Sequence, residues 1–182
     1  MKKLTSIRVL QVALLFSALL IAGMAGAQSA KDKKLIKDAA AGKEAFLSSD
    51  ALMKNLFNEA YGYAIFPNIG KGGIGIGGAA GNGIVYEKGA MIGKASMRQV
   101  NIGFQFGGQA YREVIFFENK ETLDRFKENK VELSAQVSAI AVKTGAAATA
   151  KYAEGVMIFT QQKGGLMYEA TVGGQKFEFS PF

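Results

Sequence analysis

The sequence predicts an α+β fold, a single domain in which antiparallel, glycine-rich sheet is covered by N-terminal and central helices. Three observations carry this prediction. A helical apolar stripe runs through residues 31–48. Between Gly62 and Gly108, 14 of 47 residues are glycine, and they alternate with Ile, Val and Phe as strand residues do. Short strand-like runs separated by glycine pairs then return at the C-terminus, after a central helical stretch.

The first residues precede the domain. Lys2, Lys3 and Arg8 form a basic start, and Leu10 to Met24 is apolar apart from Gln11, Ser17 and Gly23. Ala25-Gly26-Ala27 then supplies small residues. This order predicts a secretory signal over residues 1–27, cleaved after Ala27. An apolar run of about 15 residues is short of the roughly 20 that cross a bilayer, which argues against a retained anchor. The expected localisation is therefore periplasmic or secreted, with residues 28–182 as the working domain. Losing Lys2, Lys3 and Arg8 leaves 19 basic against 15 acidic residues, a net charge of +4 rather than +7. That balance suits an anionic surface without calling for nucleic acid.

Residues 31–48 predict the first helix. Leu35, Ile36, Ala39, Phe46 and Leu47 fall on one stripe, with Lys33, Lys34, Lys37 and Asp38 off it and Gly42 weakening the middle. Ser49 or Asp50 is the expected cap of a second short helix that turns Leu52, Met53, Leu56 and Phe57 inward. Tyr61 to Phe66 reads as extended, and Pro67-Asn68 as a turn. Gly73-Ile74-Gly75-Ile76-Gly77 and Ile102-Gly103-Phe104-Gln105-Phe106-Gly107 read as strands with one glycine-rich or polar face. Glycine there points to close approach by another backbone, a bulge or a ligand. Tyr111 to Phe117 continues as strand, and Asn119 caps a helix over 120–129 with Leu123 and Phe126 inward. Residues 131–142 suit either strand or helix, and 145–150 fit no element. Residues 155–161, 166–172 and 175–179 predict a three-stranded meander.

Composition excludes several functions. Without cysteine there is no disulfide and no lipoprotein anchor, and without histidine there is no Ser-His-Asp or Cys-His catalysis and no zinc site of the usual ligands. Gly73 to Gly78 matches G-x-G-x-x-G, but Ala79-Ala80-Gly81-Asn82-Gly83 is a poor helix start with an Asn-Gly turn signal, so a glycine-faced strand or hairpin is the better reading. Glu113, Glu118, Glu121 and Asp124 read as a solvated helix start that complements the helix dipole. A chain ending in Phe182 invites comparison with an outer-membrane barrel, yet counting back by twos gives Ser180, Glu178, Lys176 and Gly174, which is the wrong register. No catalytic residue, metal site or cofactor is expected.

Ala60-Tyr61-Gly62-Tyr63-Ala64-Ile65-Phe66-Pro67-Asn68 resembles the opening signature of the SYLF domain, also called the Ysc84 or DUF500 domain. The resemblance extends through Gly72 to Gly83, Ile102 to Gln109, Val114 to Phe117 and Lys163 to Leu166. It implies a lipid-binding module. Eukaryotic members bind phosphoinositides, partly through an N-terminal amphipathic helix, and some bind actin, while bacterial members are usually exported. Actin binding is not carried over to a chain with a bacterial-looking signal. The expected function is thus a non-enzymatic, exported domain that binds anionic phospholipid or a membrane surface. Lys31, Lys33, Lys34, Lys37 and Lys43 would supply the electrostatic contact, and Leu35, Ile36, Phe46 and Leu47 the insertion. The alternative is a periplasmic envelope scaffold or stress-related protein-interaction module, in which the same helix packs on the sheet.

Overall fold

The computed structural model describes residues 30–74, 76–102, 109–129, 139–163 and 174–182. The predicted signal, the Phe104 and Phe106 strand segment, most of 131–142 and the expected strand at 166–172 lie outside these residues. Two units are distinguished, one ending at Ile36 and one comprising Lys37–Phe182. Residues 30–49 form a helix, α1. Among the described residues no helix is long and apolar enough to cross a membrane.

Among the described residues, the second unit is built on a seven-stranded sheet of order β5-β6-β4-β1-β2-β3-β7. Its strands are β1 (Gly62–Ile74), β2 (Ile76–Glu87), β3 (Ala90–Ile102), β4 (Gln109–Phe117), β5 (Ile140–Ala141), β6 (Val156–Gln162) and β7 (Gln175–Pro181). Every neighbouring pair is antiparallel except the two-residue β5, which runs parallel to β6. The α+β class predicted from the sequence is the one observed. β1 and β2 form a long hairpin across the glycine-rich region, with Ile74 opposite Ile76. β2 returns to β3 through Lys88-Gly89, both at positive φ, which is the two-residue reversal that matches the twist of adjoining strands.

Several sequence expectations are corrected. Pro67-Asn68 is no turn but lies inside β1, where the register shifts against both neighbours. A bulge tolerates a proline because the ladder is already interrupted there. Asn82-Gly83 is likewise interior to β2. Its glycine is needed for close approach, since a Cβ at Gly83 would stand 2.6 Å from the Ile65 carbonyl oxygen and 2.8 Å from the Phe66 ring. β6 pairs with β4 and β5, and β7 with β3 at the opposite edge of the described sheet, while the middle strand of the expected meander, 166–172, lies outside the described residues. Residues 146–149, unassigned from sequence, form a single helical turn, α4 (Ala146–Thr149).

The sheet curls until distant strands meet. Phe66 of β1 and Phe177 of β7 have ring centroids 5.7 Å apart, although β2 and β3 lie between those strands. Gln175 of β7 donates to Glu113 of β4 at 3.0 Å across the same interior. One end of the concave side is filled by α3 (Lys120–Lys127). Asn119 caps α3 as predicted, accepting from the Thr122 N–H at 3.0 Å, and Leu123 and Phe126 are fully buried. Phe126 meets Phe117 at 4.9 Å and Phe177 at 5.2 Å. The convex side carries α2 (Met53–Glu59), whose Phe57 packs edge-on against Tyr63 and Phe116. With both sides covered, β1 and β4 are buried on both faces, which explains their continuous apolar runs Tyr63–Phe66 and Val114–Phe117.

Candidate functional site

The structure divides the residues predicted for lipid contact. Lys31, Lys33, Lys34 and Lys37 are exposed, and Leu35, Ile36 and Leu47 are half-buried. From Ala39 onward the helix turns a packed face inward: Ala39, Gly42 and Phe46, spaced three and four apart, are buried. A Cβ at Gly42 would make ordinary contact with Ile65 at 3.4 Å and Pro67 at 3.6 Å, so this half of α1 lies against the convex face of β1. Phe46 is fully buried and has no surface to insert into a bilayer. Lys43 is drawn in as well. Its Nζ donates to the Tyr63 hydroxyl at 3.1 Å and lies 4.8 Å from the Phe57 ring centre, a cation–π contact that fixes the helix to the sheet.

Polar contacts lock the same half of α1. Gln161 of β6 accepts from Arg112 Nη1 at 2.7 Å and donates to the Ala45 carbonyl and the Ser49 hydroxyl. Asp50, nearly fully buried, accepts from the Leu52 N–H at 3.0 Å and the Ala147 N–H at 2.9 Å. The Ala147 hydrogen bond is the largest cause holding its carboxyl below the usual range. The N-cap position of α2 is Leu52, without a side-chain cap, so neither Ser49 nor Asp50 caps the helix as the sequence suggests; Asp50 instead closes the turn before α2 and ties it to α4 across 97 residues of chain.

A second group of polar side chains faces the concave interior, at the end away from α3. Tyr111 and Glu113 of β4, Thr160 of β6, Gln99 of β3 and Gln175 of β7 are all buried. Glu113 and Thr160 are cross-strand partners, as are Gln99 and Gln175. The Gln175–Glu113 hydrogen bond joins the two pairs. Burial pushes the Glu113 carboxyl up to about 7. Burial, and then the Glu113 charge, also raise the Tyr111 phenol.

This group corrects the sequence reading of Glu113 as part of a solvated helix start. Glu118 and Glu121 are exposed beside α3, and Asp124 pairs with Lys120 and Lys127. Glu113 is instead fully buried mid-strand. The signal was present: in Tyr111-Arg112-Glu113-Val114-Ile115-Phe116-Phe117, a period of two puts Glu113 on the same face as Tyr111, Ile115 and Phe117. Thr160, Gln99 and Gln175 gave no signal of their own, since their convergence depends on the curl of the sheet.

Comparison with known proteins gives two matches. Residues 98–180 match the family model described as Ysc84, Las17-binding protein actin regulator. Beta cell expansion factor A of Aeromonas veronii is 33% identical over 127 residues, which cover 68% of this chain and 48% of that relative. The chain thus spans about half the length of the curated relative it matches. The matched family region runs from the end of β3 into β7 and so contains all of the polar group inside the sheet.

Proposed function

Residues 98–180 belong to the Ysc84, or SYLF, family of domains, and on that premise we propose that this chain is a non-enzymatic, exported domain that binds anionic membrane surfaces. The observation that carries the proposal is the exposure of Lys31, Lys33, Lys34 and Lys37 within seven residues of helix. Each lysine close to an anionic leaflet contributes about 1 kcal/mol at ordinary salt, and the attraction decays within a Debye length. Leu35 and Ile36 stand among these lysines and supply the apolar contact. Lys43 and Phe46 are engaged in the fold, which narrows the contact to residues 31–37.

Co-sedimentation with phosphatidylserine-containing and purely phosphatidylcholine vesicles tests this reading. The protein should pellet with the first and not the second, and added salt should release it. Changing Lys31, Lys33, Lys34 and Lys37 to Glu should abolish binding while leaving the melting temperature within a few degrees, because these side chains are exposed. Unchanged binding by that variant would sink the proposal. The alternative, a protein-interaction module, draws on exposed Met91 and Phe182, which lie near one another where the Phe182 N–H donates to the Ile92 carbonyl. A failure to bind either vesicle would favour it.

A further inference from the structure

The concave interior changes character within one strand period, on four strands at once. On β4, Ile115 is followed inward by Glu113; on β6, Ile158 by Thr160; on β3, Met97 by Gln99; on β7, Phe177 by Gln175. The pairing puts these steps side by side: Ile115 opposite Ile158 and Glu113 opposite Thr160, Met97 opposite Phe177 and Gln99 opposite Gln175. A polar layer therefore sits directly above an apolar one, and every member of it is at most 3% exposed.

Within this layer the hydrogen bonds do not close. Glu113 Oε2 accepts from Gln175, but Glu113 Oε1, Gln175 Oε1 and Thr160 Oγ1 are buried without a hydrogen-bond partner among the described residues. So is Gln162 Oε1, one period further along β6 and opposite Tyr111. Buried polar groups in native proteins are paired with few exceptions, because an orphan forfeits its hydrogen bonds to water without a replacement. Four orphaned oxygens gathered at one end of one interior are a pattern; the amide oxygens among them are acceptors, and so is the Glu113 carboxylate once it is ionised.

Charge narrows what satisfies them. Glu113 is the one carboxylate in the layer, and among the described residues no three His, Cys, Asp or Glu side chains come together. A divalent ion bound by oxygens draws on more negative charge than this. The basic neighbours Arg112 and Lys176 alternate to the other face of their strands, where Arg112 is held by Gln161 and Lys176 is exposed. We propose that the polar layer is a buried site for one monovalent cation, an alkali metal ion or a primary ammonium group, with Glu113 supplying the balancing charge and Thr160, Gln175 and Gln162 the neutral oxygens. This site does not depend on the membrane contact of residues 31–37.

The cation competes with a proton. Glu113 must ionise to balance it, and burial holds the proton on up to about pH 7. Among the described residues, the groups around Glu113 are Phe66 on β1, Thr160 on β6, Gln175 on β7 with its partner Gln99 on β3, and Tyr111 on its own strand, and of these Tyr111 alone titrates. Binding should therefore strengthen as pH rises through 7.

Thermal unfolding of the purified chain at equal ionic strength in NaCl, KCl, NH4Cl, methylammonium chloride and tetramethylammonium chloride provides the test. Relative to the bulky tetramethylammonium ion, a bound small cation should raise the melting temperature by about 2–4 °C at about pH 8, and by less at about pH 6. A rise confined to Na+ or K+ identifies an alkali site. A rise confined to the two ammonium salts identifies an amine site. Glu113→Gln should abolish the response. If that variant fails to fold, Thr160→Val serves in its place and should shrink it. Equal melting temperatures in all five salts would overturn the proposal, as would a full response in either variant.

Discussion

The two ends of the concave interior are built by the same strands and are equally buried, yet they do opposite things. At the α3 end, Ile115, Phe117, Ile158 and Phe177 close on Leu123 and Phe126 as an apolar core. One residue pair further along, Glu113, Thr160, Gln99 and Gln175 occupy the equivalent inward positions. The backbone does not distinguish the two layers, because strand alternation sends both inward. Burial by itself therefore does not decide chemistry in this fold: the apolar layer stabilises the curl, and the polar layer is carried by it.

The largest effect should come from the apolar end. Phe126→Ala removes a fully buried ring that touches Phe117 and Phe177, and should cost about 3–5 kcal/mol in denaturant unfolding. A loss below 1 kcal/mol would mean that α3 does not close the interior.

The next effect belongs to the polar end and depends on pH. Unfolded, Glu113 loses its proton near its ordinary value of 4.5, while the folded chain holds it to about 7. The stability this proton contributes is fully present below 4.5 and lost as pH rises to about 7, up to about 3 kcal/mol in all. Measured in tetramethylammonium salt, stability should fall across that window, and Glu113→Gln should flatten the fall. An identical slope in the variant would assign the proton elsewhere.

The smallest effect sharpens the contrast most. Thr160→Val deletes an orphaned hydroxyl at constant shape, and in tetramethylammonium salt it should stabilise by about 1 kcal/mol. The same change in a bound small cation's salt should gain less or lose. At the α3 end no comparable reversal with salt is expected from Phe126→Ala.

Much of the fold was legible along the chain. Asn119 with Leu123 and Phe126 announced α3, the run Tyr111–Phe117 announced a strand, and the alternating glycines announced a glycine-faced strand or hairpin. Turn signals misled at Pro67-Asn68 and Asn82-Gly83, because a bulge and a close strand approach ask for the same residues as a turn. The candidate site was legible only in part. Lys31, Lys33, Lys34 and Lys37 are exposed, as an amphipathic helix requires, but periodicity did not reveal that Lys43 would bind Tyr63 and that Phe46 would be buried.

The sequence by itself determined the α+β class, the absence of cysteine and histidine chemistry, the family resemblance and the positions of α3 and several strands. These are local properties, set by residue type and by periods of two and 3.6. Only the tertiary structure decided that β7 lies at the far edge from β6, and that the sheet curls far enough to bring Gln175 to Glu113. Sequence separation carries no information about which edge a strand joins, and curl is the sum of small twists over seven strands. The polar layer exists because of that sum, and no single segment encodes it.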